Sequence, residues 1–94
     1  MPWFMYKDDL FIPVEIRALT MDDAVRTGLS IAREVLGVVD RYCLYEAGGE
    51  VVIEYWRGRE VAVKLIHADD PASALIHYYN AEKVGLVKCV DIGQ

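Results

Sequence analysis

Two spacings of hydrophobic residues follow one another along this chain. Residues 10–19, LFIPVEIRAL, alternate with period two: Ile12, Val14, Ile16 and Ala18 share one side, Glu15 and Arg17 the other. That pattern predicts a strand. Pro13 has no N–H to give a ladder, so the strand is expected at a sheet edge or at a bulge. From Thr20 the period lengthens to that of a helix. Thr20 is a suitable N-cap, Asp23 stands three residues on, and Asp22 and Asp23 suit the positive end of the helix dipole. Val25, Leu29, Ala32, Leu36 and Val39 form one apolar row, with Ala24, Ile31, Val35 and Val38 beside it and Arg26, Ser30 and Arg33 opposite. Gly37 is the expected stop.

Residues 41–68 return to period two and predict three strands, RYCLYEA, EVVIEYW and EVAVKLIHA. Gly48-Gly49 reads as a two-residue hairpin turn. Setting Ala47 opposite Glu50 pairs Leu44 with Ile53 and Tyr42 with Tyr55. For the next hairpin, setting Trp56 opposite Glu60 pairs Tyr55 with Val61 and Ile53 with Val63. This register collects Tyr42, Leu44, Val51, Ile53, Tyr55, Val61, Val63 and Leu65 on one face. The opposite face carries Cys43, Tyr45, Val52, Glu54, Trp56, Ala62, Lys64 and Ile66, with Glu54 and Lys64 in reach of a diagonal pair. A second helix is expected from Asp70-Pro71, an N-cap followed by proline at the first helical position. Its expected buried row is Ala72, Leu75, Ile76 and Tyr79, with Tyr78 beside Ala74 and Ala81 on a flank. Gly85 ends it, and a last strand follows from Leu86 to Ile92.

The expected fold is therefore α+β: β-α-β-β-β-α-β over residues 1–94 as one domain. The plan is a two-layer sandwich with a mostly antiparallel sheet and two helices on one face, ferredoxin-like with an added strand. That plan leaves one sheet face bare, although it carries Tyr45, Val52, Trp56 and Ile66. Residues 1–9, MPWFMYKDD, read as an irregular docking or interface segment whose Trp3, Phe4 and Tyr6 are a heavy apolar load for a terminus. Together, Trp3, Phe4, Tyr6, Tyr45, Val52, Trp56 and Ile66 form the expected interface. Its partner is a second copy, so a homo-oligomer, first of all a dimer, is expected.

Composition narrows the setting. Of 94 residues, 54% are apolar and 27% charged, with a net charge of −5, as in a globular domain rather than a disordered tract. No apolar run reaches the roughly 18 residues of a membrane helix. The N-terminus lacks the basic start and apolar stretch of a signal peptide. A cytoplasmic domain with no membrane partner is expected. Only two Ser, two Thr, one Asn and one Gln stand against 25 charged residues, which points to a thermophilic source. Segments 1–19, 20–40, 41–68 and 69–94 carry −1, −2, 0 and −2. None has the basic excess of a protein that tracks phosphates, so nucleic acid is not the expected partner.

Candidate chemistry is sparse. Cys43 and Cys89 are too few and too far apart for a zinc ribbon or a C-x-x-C pair. Reduced core thiols are the expectation, and a bridge forms only if their Cβ atoms face each other. His67, Asp69, Asp70 and His77 do not make a metal shell: His77 lies seven residues past the N-cap, about 10 Å along the helix. No motif sets Cys43 beside a base. Arg57 and Arg59 flank Gly58 at a hairpin tip beside Trp56, a conceivable anion contact that reads first as a solvated turn. No catalytic, cofactor or metal residues are assigned, and no family resemblance emerges. The expected function is a non-enzymatic domain acting through self-association or protein–protein contact. The alternatives are a module binding an unidentified small-molecule ligand at a subunit interface, and a nucleic-acid accessory protein using the Arg57/Arg59 tip.

Overall fold

The computed structural model describes residues 3–7, 10–47, 50–80 and 85–92. Six strands and two helices follow in the order β1 (Trp3–Lys7), β2 (Leu10–Ile16), α1 (Met21–Leu36), β3 (Arg41–Ala47), β4 (Glu50–Arg57), β5 (Glu60–His67), α2 (Pro71–Asn80) and β6 (Leu86–Asp91). The strands form one sheet in the order β2-β1-β5-β4-β3-β6, every neighbouring pair antiparallel. The α+β class holds.

The aromatic N-terminal segment is not irregular. Trp3–Lys7 is an inner strand between β2 and β5. Its side chains split by pleat: Trp3 and Met5 join the core cluster of α1, while Tyr6 and Phe4 join that of α2. An inner strand covered on both faces reads as a continuous apolar run instead of an alternation, and that is why WFMY shows no period of two. Pro13 lies in edge strand β2, next to a register irregularity in its pairing with β1, where a missing N–H costs no central ladder bond.

The two-layer plan is corrected. The helices sit on opposite faces, giving helix, sheet, helix. Ala24 and Ala32 of α1 pack with Trp3, Met5, Ile53, Tyr55, Val63 and Leu65. Ala74 and Tyr78 of α2 pack with Tyr6, Cys43, Tyr45, Val52 and Ile66. Strand directions explain the choice. α1 links β2 to β3, two strands that run the same way, so it is a parallel crossover bound by the handedness rule. α2 links β5 to β6, which run in opposite directions. No such rule holds it on the face of α1, and the apolar second face draws it across.

Both helices start as the sequence indicates. Asp23 N donates to Thr20 Oγ1 at 3.1 Å, and Ser73 N donates to Asp70 Oδ1 at 2.8 Å. Gly37 closes α1 with φ +86°, a left-handed turn that glycine reaches without a Cβ clash. The apolar rows fare less well. Val35 and Val38 are exposed, and Gly28 is buried instead. On α2 the buried residues are Ala74 and Tyr78, while Ala72, Leu75 and Ile76 face outward. Apolar residues occur all round this helix, so its pattern does not single out one face. The side chain of Tyr79, residues 81–84 and the Gly48-Gly49 turn lie outside the described residues.

The β3–β4 register is the one anticipated, including Ala47 opposite Glu50, Leu44 opposite Ile53 and Tyr42 opposite Tyr55. The β4–β5 register differs by one residue at the turn, where Arg57 faces Glu60, and by two beyond it, where Ile53 faces Leu65. A two-residue turn puts Gly58 first, at φ +60°, and a register irregularity between Tyr55 and Trp56 absorbs one residue. Beyond that irregularity the shift of two preserves pleat parity, so Val51, Ile53, Tyr55, Val63 and Leu65 stay on one face, with Val52 and Ile66 on the other.

Candidate functional site

The face that seemed bare is covered by α2. Tyr6, Tyr45, Val52 and Ile66 are buried beneath it, with Phe4 and Trp56 half-buried against the same core, while Trp3 is buried on the α1 face. Of the expected interface set, Phe4 and Trp56 keep partial exposure, and the other five are buried. The notion of an exposed second face is therefore overturned, for the physical reason just given: α2 is free to cross the sheet.

Beneath α2 lies the most polar feature of the interior. Glu54 and Lys64 face each other across β4 and β5, directly opposite instead of diagonal, with Lys64 Nζ 3.4 Å from Glu54 Oε2. Glu54 is 0% exposed and Lys64 8%. Lys64 Nζ also donates to the Tyr78 carbonyl at 3.0 Å and sits 4.4 Å from the centre of the Tyr78 ring. The ammonium is thus held by a carboxylate, a carbonyl near the helix C-terminus and an aromatic face. All three present negative charge or electron density to it. Tyr6 Oη donates to Pro71 O at 3.2 Å and stacks at a tilt on Tyr78, centroids 5.2 Å apart; burial raises the pKa of its phenol. This network ties α2 to β1, β4 and β5.

On the α1 face, Tyr55 Oη donates to Val25 O at 2.7 Å. The ring lies so close to α1 that a Cβ at position 28 would run into the Tyr55 hydroxyl and ring edge. Only glycine at 28 lets ring and helix touch. Burial, with a smaller contribution from nearby Tyr42, raises the pKa of the Tyr55 phenol.

At the opposite end of β4, the arginine tip is used internally. Arg57 Nη1 donates to Leu36 O at 3.3 Å, satisfying a carbonyl of the last turn of α1. Gly58 N donates to Asp40 Oδ2. Arg59 is exposed. The sequence reading missed Arg41, which the β3–β4 register sets opposite Trp56 and whose guanidinium lies 4.5 Å from the indole centre. Extending the Ala47–Glu50 register to the far end of the hairpin would have found it. Arg41 and Trp56 belong to the face of α2, whereas Arg57 reaches α1, so these guanidinium groups do not converge on one anion.

The cysteines expected as reduced thiols are joined. Cys43 of β3 and Cys89 of β6 are cross-strand neighbours with Cα atoms 4.1 Å apart, close to the about 4.5 Å of a non-hydrogen-bonded antiparallel pair. Such a pair brings the Cβ atoms face to face. Cys43 is buried in the α2 core, and Cys89 is exposed on the outermost strand. Besides this bond, β6 is held by its ladder to β3, by flanking backbone bonds from Glu46 N to Gly85 O and from Ile92 N to Asp40 O, each 2.8 Å, and by Ile92 against the α1 core, with little side-chain burial of its own. Leu86 is 60% and Val87 56% exposed, and Lys88 and Asp91 are exposed as well.

His67 stacks on Trp3 with centroids 4.7 Å apart, and Asp70 caps α2. Among the described residues no group of three or more His, Cys, Asp or Glu could hold a metal ion, and no helix is long and apolar enough to cross a membrane. No family model, no curated protein and no solved structure matches this chain.

Proposed function

We propose that this protein is a non-enzymatic α+β domain that acts by associating with a second copy of itself through edge strand β6. One observation carries the reading: among the described residues β6 is an open edge, under neither helix, with Leu86 and Val87 turned to solvent. The two edges of the sheet differ. β2 carries Pro13, a residue that blunts strand addition, whereas Leu86–Asp91 contains no proline. Antiparallel pairing of two β6 strands about a twofold axis is closed and isologous, as in most soluble dimers. It would join the two sheets into one and remove Leu86 and Val87 from water. The scarcity of Asn and Gln and the internal disulfide support a cytoplasmic protein of a hyperthermophile, a setting in which intracellular disulfides occur.

Sedimentation equilibrium at low micromolar concentration tests this. The expected result is a dimer that Leu86→Lys/Val87→Lys converts to a folded monomer. A wild-type chain that stays monomeric, or a variant that stays dimeric, overturns the reading.

A further inference from the structure

We infer that the Cys43–Cys89 disulfide is an exchangeable latch whose reduction by a dithiol releases β6 from β3 and leaves the rest of the fold standing. Three independent features converge on it. First, the bond joins the outermost strand to its one neighbour in the sheet among the described residues. Second, its two ends differ: Cys89 is exposed, while Cys43 is packed in the α2 core beside Tyr45 and Val52. Third, β6 contributes almost no burial. Only Val90 in the strand is half-buried, and the pairing with β3 is itself irregular between Leu44 and Tyr45. Ladder hydrogen bonds with little apolar burial open easily, so the covalent link is the one tie within the strand itself that water does not compete with, Ile92 beyond its end packing on the α1 core.

The exchange balances. A thiolate of the dithiol attacks Sγ of the accessible Cys89, and the S–S bond breaks with its electron pair going to Cys43 Sγ, which takes up a proton. The second thiolate attacks the reductant's own sulfur in the mixed disulfide, and Cys89 leaves as a thiolate that is protonated in turn. The protein gains two thiols and the dithiol becomes a cyclic disulfide. Cys43 then stays in place as a small buried hydrophobe, so the core under α2 loses nothing. β4, β5 and both helices make their contacts without β6.

The latch does not depend on association through β6, and its test reads amide exchange rather than mass. Hydrogen exchange by mass spectrometry is measured on the oxidised protein, on the same protein in dithiothreitol, and on Cys89→Ser, a change at an exposed position. Amides of Leu86–Asp91 and their partners in β3 should exchange about tenfold faster or more after reduction and in the variant. β4 and β5 should be unchanged, and reoxidation should restore protection. Three results would overturn it: a disulfide that dithiothreitol leaves intact under native conditions, β6 amides equally protected after reduction, or acceleration throughout β4 and β5. The last would make the bond a staple for the whole fold.

Discussion

The two faces of the sheet solve the same burial problem with different chemistry. Under α1 the core is apolar, built from Ile53, Val63, Leu65, Met5 and small helix residues, and the buried hydroxyl of Tyr55 is satisfied by Val25 O. Under α2 the core is mixed: Tyr6, Tyr78 and Val52 surround the Glu54–Lys64 ion pair. The first face depends on shape, since a helix approaches the sheet closely only where residue 28 has no side chain. The second depends on matching a charge. Shape errors cost roughly the overpacking energy, whereas an uncompensated buried charge costs more.

That difference orders the tests. Lys64→Met should have the largest effect, because it leaves Glu54 buried beside an apolar chain. Denaturant unfolding should show a loss of about 3–5 kcal/mol, most of it recovered in the double variant Glu54→Leu/Lys64→Met. A double variant no better than the single one would show that the α2 face does not depend on charge matching. Gly28→Ala comes next. The new Cβ displaces the Tyr55 ring, and lost packing and hydrogen bonding outweigh the gain in helix propensity, for a net loss of about 2 kcal/mol. A stabilised Gly28→Ala would show that the α1 face is looser than its geometry.

The smallest effect is that of Tyr55→Phe, about 1 kcal/mol at neutral pH from the lost hydrogen bond to Val25 O. It also carries a pH signature. The folded state holds this phenol protonated beyond its ordinary pKa of 10.0. Above that pH the unfolded chain gives up its proton first, so stability falls as pH rises toward the folded value. The stabilisation is fully present below pH 10, and thermal melts of Tyr55→Phe should decline less steeply above it. Equal alkaline slopes would show that Tyr55 does not titrate between the two states.

Much of the local structure is legible in the residues. Thr20 and Asp70 mark the helix starts because their side chains accept from backbone N–H groups three residues on. The β3–β4 register follows from the Gly48-Gly49 spacing. Two of the misreadings share one cause. WFMY and the row of α2 are apolar on more than one side, and periodicity assigns a face only when the other side is polar. The same ambiguity hid the candidate site: β6 reads as one more strand, and its status as an edge depends on neighbours far away in sequence.

Residue spacing by itself determined the helix starts, the central strands, the parity of each sheet face and the opposition of Ala47 to Glu50, because each follows from backbone geometry over a few residues. Tertiary structure alone decided that α2 crosses to the second face, that Lys64 lies under Tyr78 and that Cys43 meets Cys89. These outcomes depend on strand order, and strand order is set by the joint burial of distant segments, which no local period encodes.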